Sequence, residues 1–122
     1  MKTILVVDDS TTIRAAIRSI LEPMGYGVRE AADGAQALGV CRACAPLDAI
    51  LLDIDMPVLD GLGFLSRLRQ DRSLPQPPVV MCTTDHSLHR IEEALSAGAD
   101  EYIMKPFDAG ILGLKLAEVG VA

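Results

Sequence analysis

Four short runs of apolar residues punctuate the chain: Ile4-Leu5-Val6-Val7, Ala49-Ile50-Leu51-Leu52, Val79-Val80-Met81-Cys82 and Tyr102-Ile103-Met104. A weaker fifth, Val28 to Ala32, lies between the first two. Their apolarity is continuous rather than alternating, which predicts strands covered on both faces, as in a parallel sheet. The stretches between them carry helical patterns. Ile13, Ile17, Ile20, Leu21 and Met24 recur at the 3.6-residue period, and Pro23-Met24-Gly25 predicts where that helix ends. Asp33 predicts the N-cap of a second helix bearing Ala37, Leu38 and Cys41. Leu62, Leu65 and Leu68 mark a third, stopped by the Pro75-Gln76-Pro77-Pro78 loop. A fourth runs near Leu88–Ala97 and closes at Gly98, a C′ glycine. A last helix follows Asp108, and Gly110 and Gly113 within it predict a short or frayed element. The order is βα five times over. Right-handed crossovers turn that order into an α/β fold with a five-stranded, doubly wound parallel sheet.

The chain has 122 residues, which predicts a single domain over 1–122. A net charge of −6 argues against binding to nucleic acid or anionic lipid, since both need a basic face. The longest apolar runs fall far short of the ~20 residues that span a bilayer, and Asp8-Asp9 interrupt the first too early for a signal peptide. Three cysteines make no disulfide framework. These features predict a cytoplasmic, reduced and monomeric protein.

In doubly wound sheets, ligands bind beyond the carboxyl ends of the strands, near a switch point. There the sequence places Asp8-Asp9 after strand one, Asp53 after strand three, Thr83 after strand four and Lys105 after strand five. Three crowded carboxylates repel one another unless a cation neutralises them. An all-oxygen set with few side chains suits Mg²⁺, which keeps several waters and shares its shell with phosphate. Magnesium and a lysine together neutralise a phosphoryl group in transfer. A carboxylate can be its nucleophilic acceptor, and Asp53 is the natural candidate. Capping is the plainer reading of Asp8, Asp9 and Asp53. Lys105 and Thr83, each alone, are ordinary loop and strand-end residues.

With these residues in order, the chain resembles the receiver domain of two-component response regulators over its whole length. The matching stretches are Ile4-Leu-Val-Val-Asp-Asp-Ser10, Leu51-Leu-Asp-Ile-Asp-Met-Pro57 with Asp60-Gly61, Thr83, and Tyr102-Ile-Met-Lys-Pro-Phe107. The spacings fit too: 44 residues from Asp9 to Asp53, 30 to Thr83 and 22 to Lys105. Within the family it is similar to the stand-alone, CheY-like chemotaxis regulators. Met81-Cys-Thr-Thr-Asp85 and Ala97–Asp108, continued by Leu116–Gly120, resemble the alphaproteobacterial form.

The resemblance implies a flavodoxin-like fold and a phosphorylation-activated switch rather than an enzyme, acting only on its own aspartate. Asp53 would accept phosphate from a phosphohistidine on a sensor histidine kinase of the CheA-like kind. Asp9 and Asp53 would bind Mg²⁺ directly, with Asp8 acting largely through water and the backbone carbonyl of Asp55 completing the protein ligands. Lys105 would pair with Asp53 and then with the phosphoryl oxygens. Thr83 would swing toward the phosphoryl group, vacating space into which Tyr102 turns. The Lys105–Pro106 peptide bond would be cis. The output surface would comprise the fourth helix, fifth strand and fifth helix, acting on a downstream protein such as a flagellar motor switch, with a phosphatase as a further partner. No effector domain is expected to follow. Thr84 is bulkier than the small residue the family often has there, and Asp55 and Asp85 flank the site with added negative charge.

Other readings compete. The chain could instead be a phosphate sink for a shared kinase, or a pseudo-receiver that never takes phosphate. Asp53-Ile-Asp55 resembles the D-x-D of haloacid-dehalogenase-type phosphatases, but there the motif lies on the first strand, and Asp8-Asp9 would go unexplained. Cys41-Arg-Ala-Cys44 is a lone C-x-x-C inside a predicted helix; with Cys82, His86 and His89 it makes no clear zinc site, so these are read as plain thiols and exposed histidines.

Overall fold

The computed structural model describes residues 1–43, 46–84 and 87–121. Strands β1 (Thr3–Val7), β2 (Gly27–Ala31), β3 (Ala49–Asp53), β4 (Val79–Thr83) and β5 (Glu101–Met104) alternate with helices α1 (Thr11–Leu21), α2 (Gly34–Arg42), α3 (Gly61–Gln70), α4 (Leu88–Ser96) and α5 (Ala109–Glu118). All neighbouring strands are parallel, in the order β2-β1-β3-β4-β5. This is the flavodoxin-like order, with its switch point between β1 and β3.

The continuous apolar runs resolve into two cores. Leu5, Val7, Ile50, Leu52, Val79 and Met81 face α2 and α3 on one side. Ile4, Val6, Ala49, Leu51, Val80, Cys82 and Ile103 face α1 and α5 on the other. A side-chain period of two therefore buries every position of the three central strands except Thr3 and Asp53 at their ends. Edge strand β2 is only half-covered, and Glu30 on it is held by Arg14 at 3.0 Å and Arg18 at 2.8 Å.

Each helix opens on a side-chain cap. Ser10, Asp33, Asp60, Ser87 and Asp108 all accept from the backbone N–H three residues on, satisfying a donor the helix leaves orphaned. Helix ends depart from the pattern in two places. α1 stops at Leu21 and Glu22–Met24 forms a 3-10 turn closed by Gly25 at φ 94°, because Pro23 has no N–H to continue the ladder. α3 stops at Gln70, well before Pro75. The Gln76 side chain takes over there, donating to the carbonyls of Leu68, Asp71 and Leu74. Gly98, at φ 113°, closes α4 as the sequence predicts. α5 keeps ten residues despite Gly110 and Gly113, anchored by fully buried Leu112 and Leu116.

At the pole where the strands begin, Arg69 donates to the Gly98 carbonyl, to Gln76 Oε1 and to Asp100 Oδ2, which also accepts from the Val79 N–H. Lys2 Nζ donates to the Val121 carbonyl, so both ends of the chain lie at that pole. No helix among the described residues is long and apolar enough to cross a membrane.

At the other pole the chain leaves β3 and enters α3 through a tight loop. The Gly61 N–H donates to the Ile54 carbonyl at 2.9 Å, and a Cβ at Gly61 would lie 2.2 Å from the Asp53 carbonyl oxygen. Only glycine permits that approach. Within the loop, Val58 sits at φ 68° and the Leu59 N–H donates to the Pro57 carbonyl at 2.8 Å, which is a γ-turn of the rare positive-φ kind. A left-handed β-branched residue costs roughly 1–2 kcal/mol. Urea unfolding should therefore show Gly61→Ala destabilised by about 1–3 kcal/mol through overpacking, and Val58→Asn stabilised by about 1 kcal/mol through strain relief. A neutral Gly61→Ala would refute the close approach.

Candidate functional site

Register brings the acidic residues together. Val7 pairs with Leu52 and Asp53 with Cys82, so Asp8 and Asp53 emerge side by side at the switch point. Asp53 lies two residues beyond Leu51 and Lys105 two beyond Ile103, both on the α1/α5 side, so the period of two sends their side chains the same way. Carboxylate oxygens of Asp8, Asp9 and Asp53 come within 4.8 Å of one another. Asp8 is buried, Asp53 half-buried and Asp9 exposed.

Lys105 is the counter-charge. Its Nζ donates to Asp8 Oδ2 at 2.6 Å and lies 3.4 Å from Asp53 Oδ1. The pairing with Asp53 expected from sequence is present, but the shorter contact is to Asp8. The reason is burial: Asp8 is 2% exposed, and a carboxylate removed from water needs a cation most. Asp8 Oδ1 is also held by the Ser10 N–H at 2.9 Å, and the Asp8 carbonyl accepts from Arg14. The Lys105 main chain is fixed by its N–H donating to the Thr83 carbonyl at 2.8 Å, and the Lys105–Pro106 bond is cis.

Burial pushes the Asp53 carboxyl above its ordinary range and the Asp8 and Asp9 charges add to this, while Lys105 opposes them. Burial draws the Lys105 ammonium down, but the Asp8 hydrogen bond and the Asp53 and Asp8 charges outweigh it, so the net shift is upward. The ammonium therefore stays charged at neutral pH. This donor set fits a hard divalent cation such as Mg²⁺: all oxygen, clustered, and with one cation for three anions.

Thr83 is buried at the end of β4. Tyr102 is half-buried on β5, packed against the α2/α3 core, with Lys115 Nζ 5.0 Å from the centre of its ring. Thr84 is exposed and, with Ile13, Ile17, Pro106 and Phe107, lines an apolar cleft of about 310 Å³ beside Lys105. Asp55 points into solvent and pairs with Arg90 of α4 at 2.9 Å; its added charge is matched there, which no local sequence signal announced. Asp85, His86 and Cys44 lie outside the described residues. Cys41 and Cys82 are buried free thiols, with burial pushing Cys82 up to about 12, and His89 is exposed. Cys41, Cys82 and His89 do not converge on the acidic cluster.

A parallel α/β sheet with three carboxylates, a threonine and a lysine at its carboxyl edge belongs to a known class, and the chain matches the response regulator receiver domain over residues 4–116. It belongs to that family. Chemotaxis protein CheY1 of Helicobacter pylori is 37% identical over 117 residues, covering 95% of this chain and 94% of that one. Chemotaxis protein CheY-3 of Vibrio cholerae is 36% identical, covering 95% and 89%. Among solved structures, chemotaxis protein CheY4 of Vibrio cholerae superposes with a TM-score of 0.90 at 35% identity, over 98% of each chain.

The raised Asp53 has a thermodynamic consequence. Between the ordinary carboxyl pKa and the raised one, the folded state binds more protons than the unfolded. Stability therefore falls as pH rises through that window, and the cost persists at neutral pH. Asp53→Asn should melt higher than wild type at pH 7 in metal-free buffer, by roughly 4 °C for a gain of about 1 kcal/mol. Thermal scans should show the difference vanishing below about pH 4, where the wild-type carboxyl is itself neutral. A variant that melts lower at pH 7 would refute net repulsion at the site.

Proposed function

We propose that this chain, as a single receiver domain, is a phosphorylation-activated switch of two-component signalling whose acceptor is Asp53. The observation that carries this reading is the clustering of Asp8, Asp9 and Asp53 within 4.8 Å beside Lys105. An Asp53 carboxylate oxygen forms a bond to phosphorus as the phosphorus–nitrogen bond of a kinase phosphohistidine breaks, and the departing imidazole takes a proton from solvent. Asp9, Asp53 and the Asp55 carbonyl, with Asp8 through water, would hold Mg²⁺, which would supply charge neutralisation to the transferring group. Lys105 stands 3.4 Å from Asp53 Oδ1, within reach of an oxygen on a phosphoryl group attached there. The hydrogen bond from its backbone N–H to the Thr83 carbonyl fixes its place. Hydrolysis of the acyl phosphate resets the switch, so the chain turns over only its own modification.

A phosphoryl group adds charge and acceptor oxygens. The Thr83 hydroxyl moves to satisfy one of them, and Tyr102 turns inward after it. The readout is the surface formed by α4, β5 and α5, whose helices expose Leu88, Leu95, Ile111 and Leu114. The names of its relatives, both chemotaxis proteins, support a role in chemotaxis; in this reading a CheA-like kinase stands upstream and a flagellar motor switch downstream, in the cytoplasm.

The chain has no tryptophan, so intact mass is the first readout. Incubated with acetyl phosphate and Mg²⁺, wild type should gain one hydroxylamine-labile phosphoryl group and Asp53→Asn none. No gain, together with no binding of beryllofluoride, would make the chain a pseudo-receiver. Lys105→Ala should still take up phosphate, yet its α4–β5–α5 amide resonances should shift by less than half as much as those of wild type. A full response in that variant would remove Lys105 from the switch.

A further inference from the structure

α4 is the least anchored helix of the fold. It buries one residue, Ala94, whereas α2 buries Ala37, Leu38 and Cys41 and α3 buries Phe64, Leu65 and Leu68. Leu88 and Leu95 of α4 face solvent at 68% and 42% exposure. A helix held by so little apolar burial belongs to the low-stability end of a structure, where a few polar ties decide its position. One such tie crosses to the phosphoryl site. Arg90, in the first turn of α4, donates from Nη2 to Asp55 Oδ1 at 2.9 Å, across 35 residues of sequence, while Nη1 reaches Glu93 at 3.3 Å. Asp55 lies two residues beyond Asp53, and its side chain is 84% exposed.

We propose that the Arg90–Asp55 ion pair is a latch that holds α4 against the acceptor loop in the resting protein, which makes Arg90 a positioning residue for the switch. The inference rests on the reading of Asp53 as the phosphoryl acceptor. The latch is set to break when that reaction occurs. Phosphorylation replaces the single charge of the Asp53 carboxylate with roughly two on the phosphoryl oxygens, a net gain of about one negative charge next to the loop, which both repels Asp55 and competes for the guanidinium. An exposed pair is weak enough to yield: such pairs shift equilibria by about two- to fivefold. Asp55 also lends its carbonyl to the proposed cation site, so loop and helix respond to one event.

Amide hydrogen exchange on the full chain tests this. In Mg²⁺-free buffer, Arg90→Gln and Asp55→Asn should each speed exchange across Leu88–Ser96 by about two- to fivefold, leaving α1 and α3 unchanged. The double variant should be no faster than either single one. Glu93→Gln, which removes only the pairing within the helix, should have little effect. Beryllofluoride with Mg²⁺ supplies a sign test. Deleting a positive charge near an anionic ligand weakens binding by electrostatics alone, whereas releasing a latch populates the binding-competent state and tightens it. Arg90→Gln should bind beryllofluoride about two- to fivefold more tightly than wild type. Unchanged α4 exchange, additive effects, an equal effect of Glu93→Gln, or weaker beryllofluoride binding would each overturn the latch. If instead wild-type α4 ignores beryllofluoride and Mg²⁺, the switch reading of Asp53 fails, and the ligand-free exchange still decides whether the pair holds the helix.

Discussion

Three carboxylates in a half-buried cleft repel one another, and in the resting protein a single ammonium holds the cluster together. The Lys105 contacts at 2.6 Å to Asp8 and 3.4 Å to Asp53 leave a surplus of negative charge. Burial first, and then that surplus, keeps the Asp53 carboxyl above its usual range, and the surplus fits the cluster to a hard cation. Much of the surrounding architecture serves this crowding. The parallel register sets Asp8 beside Asp53, Gly61 lets α3 begin against the Asp53 carbonyl, and the Thr83 carbonyl fixes the Lys105 backbone.

The two faces of the sheet are not equally firm. α1 and α5 close one face through Ile17, Leu21, Leu112 and Leu116, and α2 and α3 close much of the other through larger side chains. α4 covers the remainder with little more than an alanine. A switch needs this asymmetry, since a phosphoryl group can move only an element whose alternatives lie within a few kcal/mol. The firm part preserves the geometry of the acceptor while the loose part changes. Tyr102 sits on the boundary between them, packed against the α2/α3 core on one side and held by Lys115 on the other.

The strands were legible in the sequence because both faces are buried, which removes the ambiguity of alternating patterns. The cap at Asp33 was legible because the donor it satisfies is local. The end of α3 was misplaced at the Pro75–Pro78 loop: proline marks where a helix cannot continue, but here a side chain, Gln76, collects the free carbonyls and lets the helix stop sooner. Membership of the acidic cluster could be read from residue type at each strand end. Its internal pairing could not, because the preference of Lys105 for Asp8 depends on relative burial, a property of the packed molecule. The reach of Arg90 to Asp55 was equally hidden, since both are ordinary surface charges far apart in sequence.

The hydrogen bond from Lys2 to the Val121 carbonyl gathers both ends of the chain at the pole where the strands begin, away from Asp53. A fluorescent module grafted to either end would stand clear of the phosphoryl donor's approach. Ends this near can also be joined by a short peptide and the chain reopened elsewhere, as circular permutation requires. The fold thus keeps its chemistry at one pole and leaves the other free for attachment.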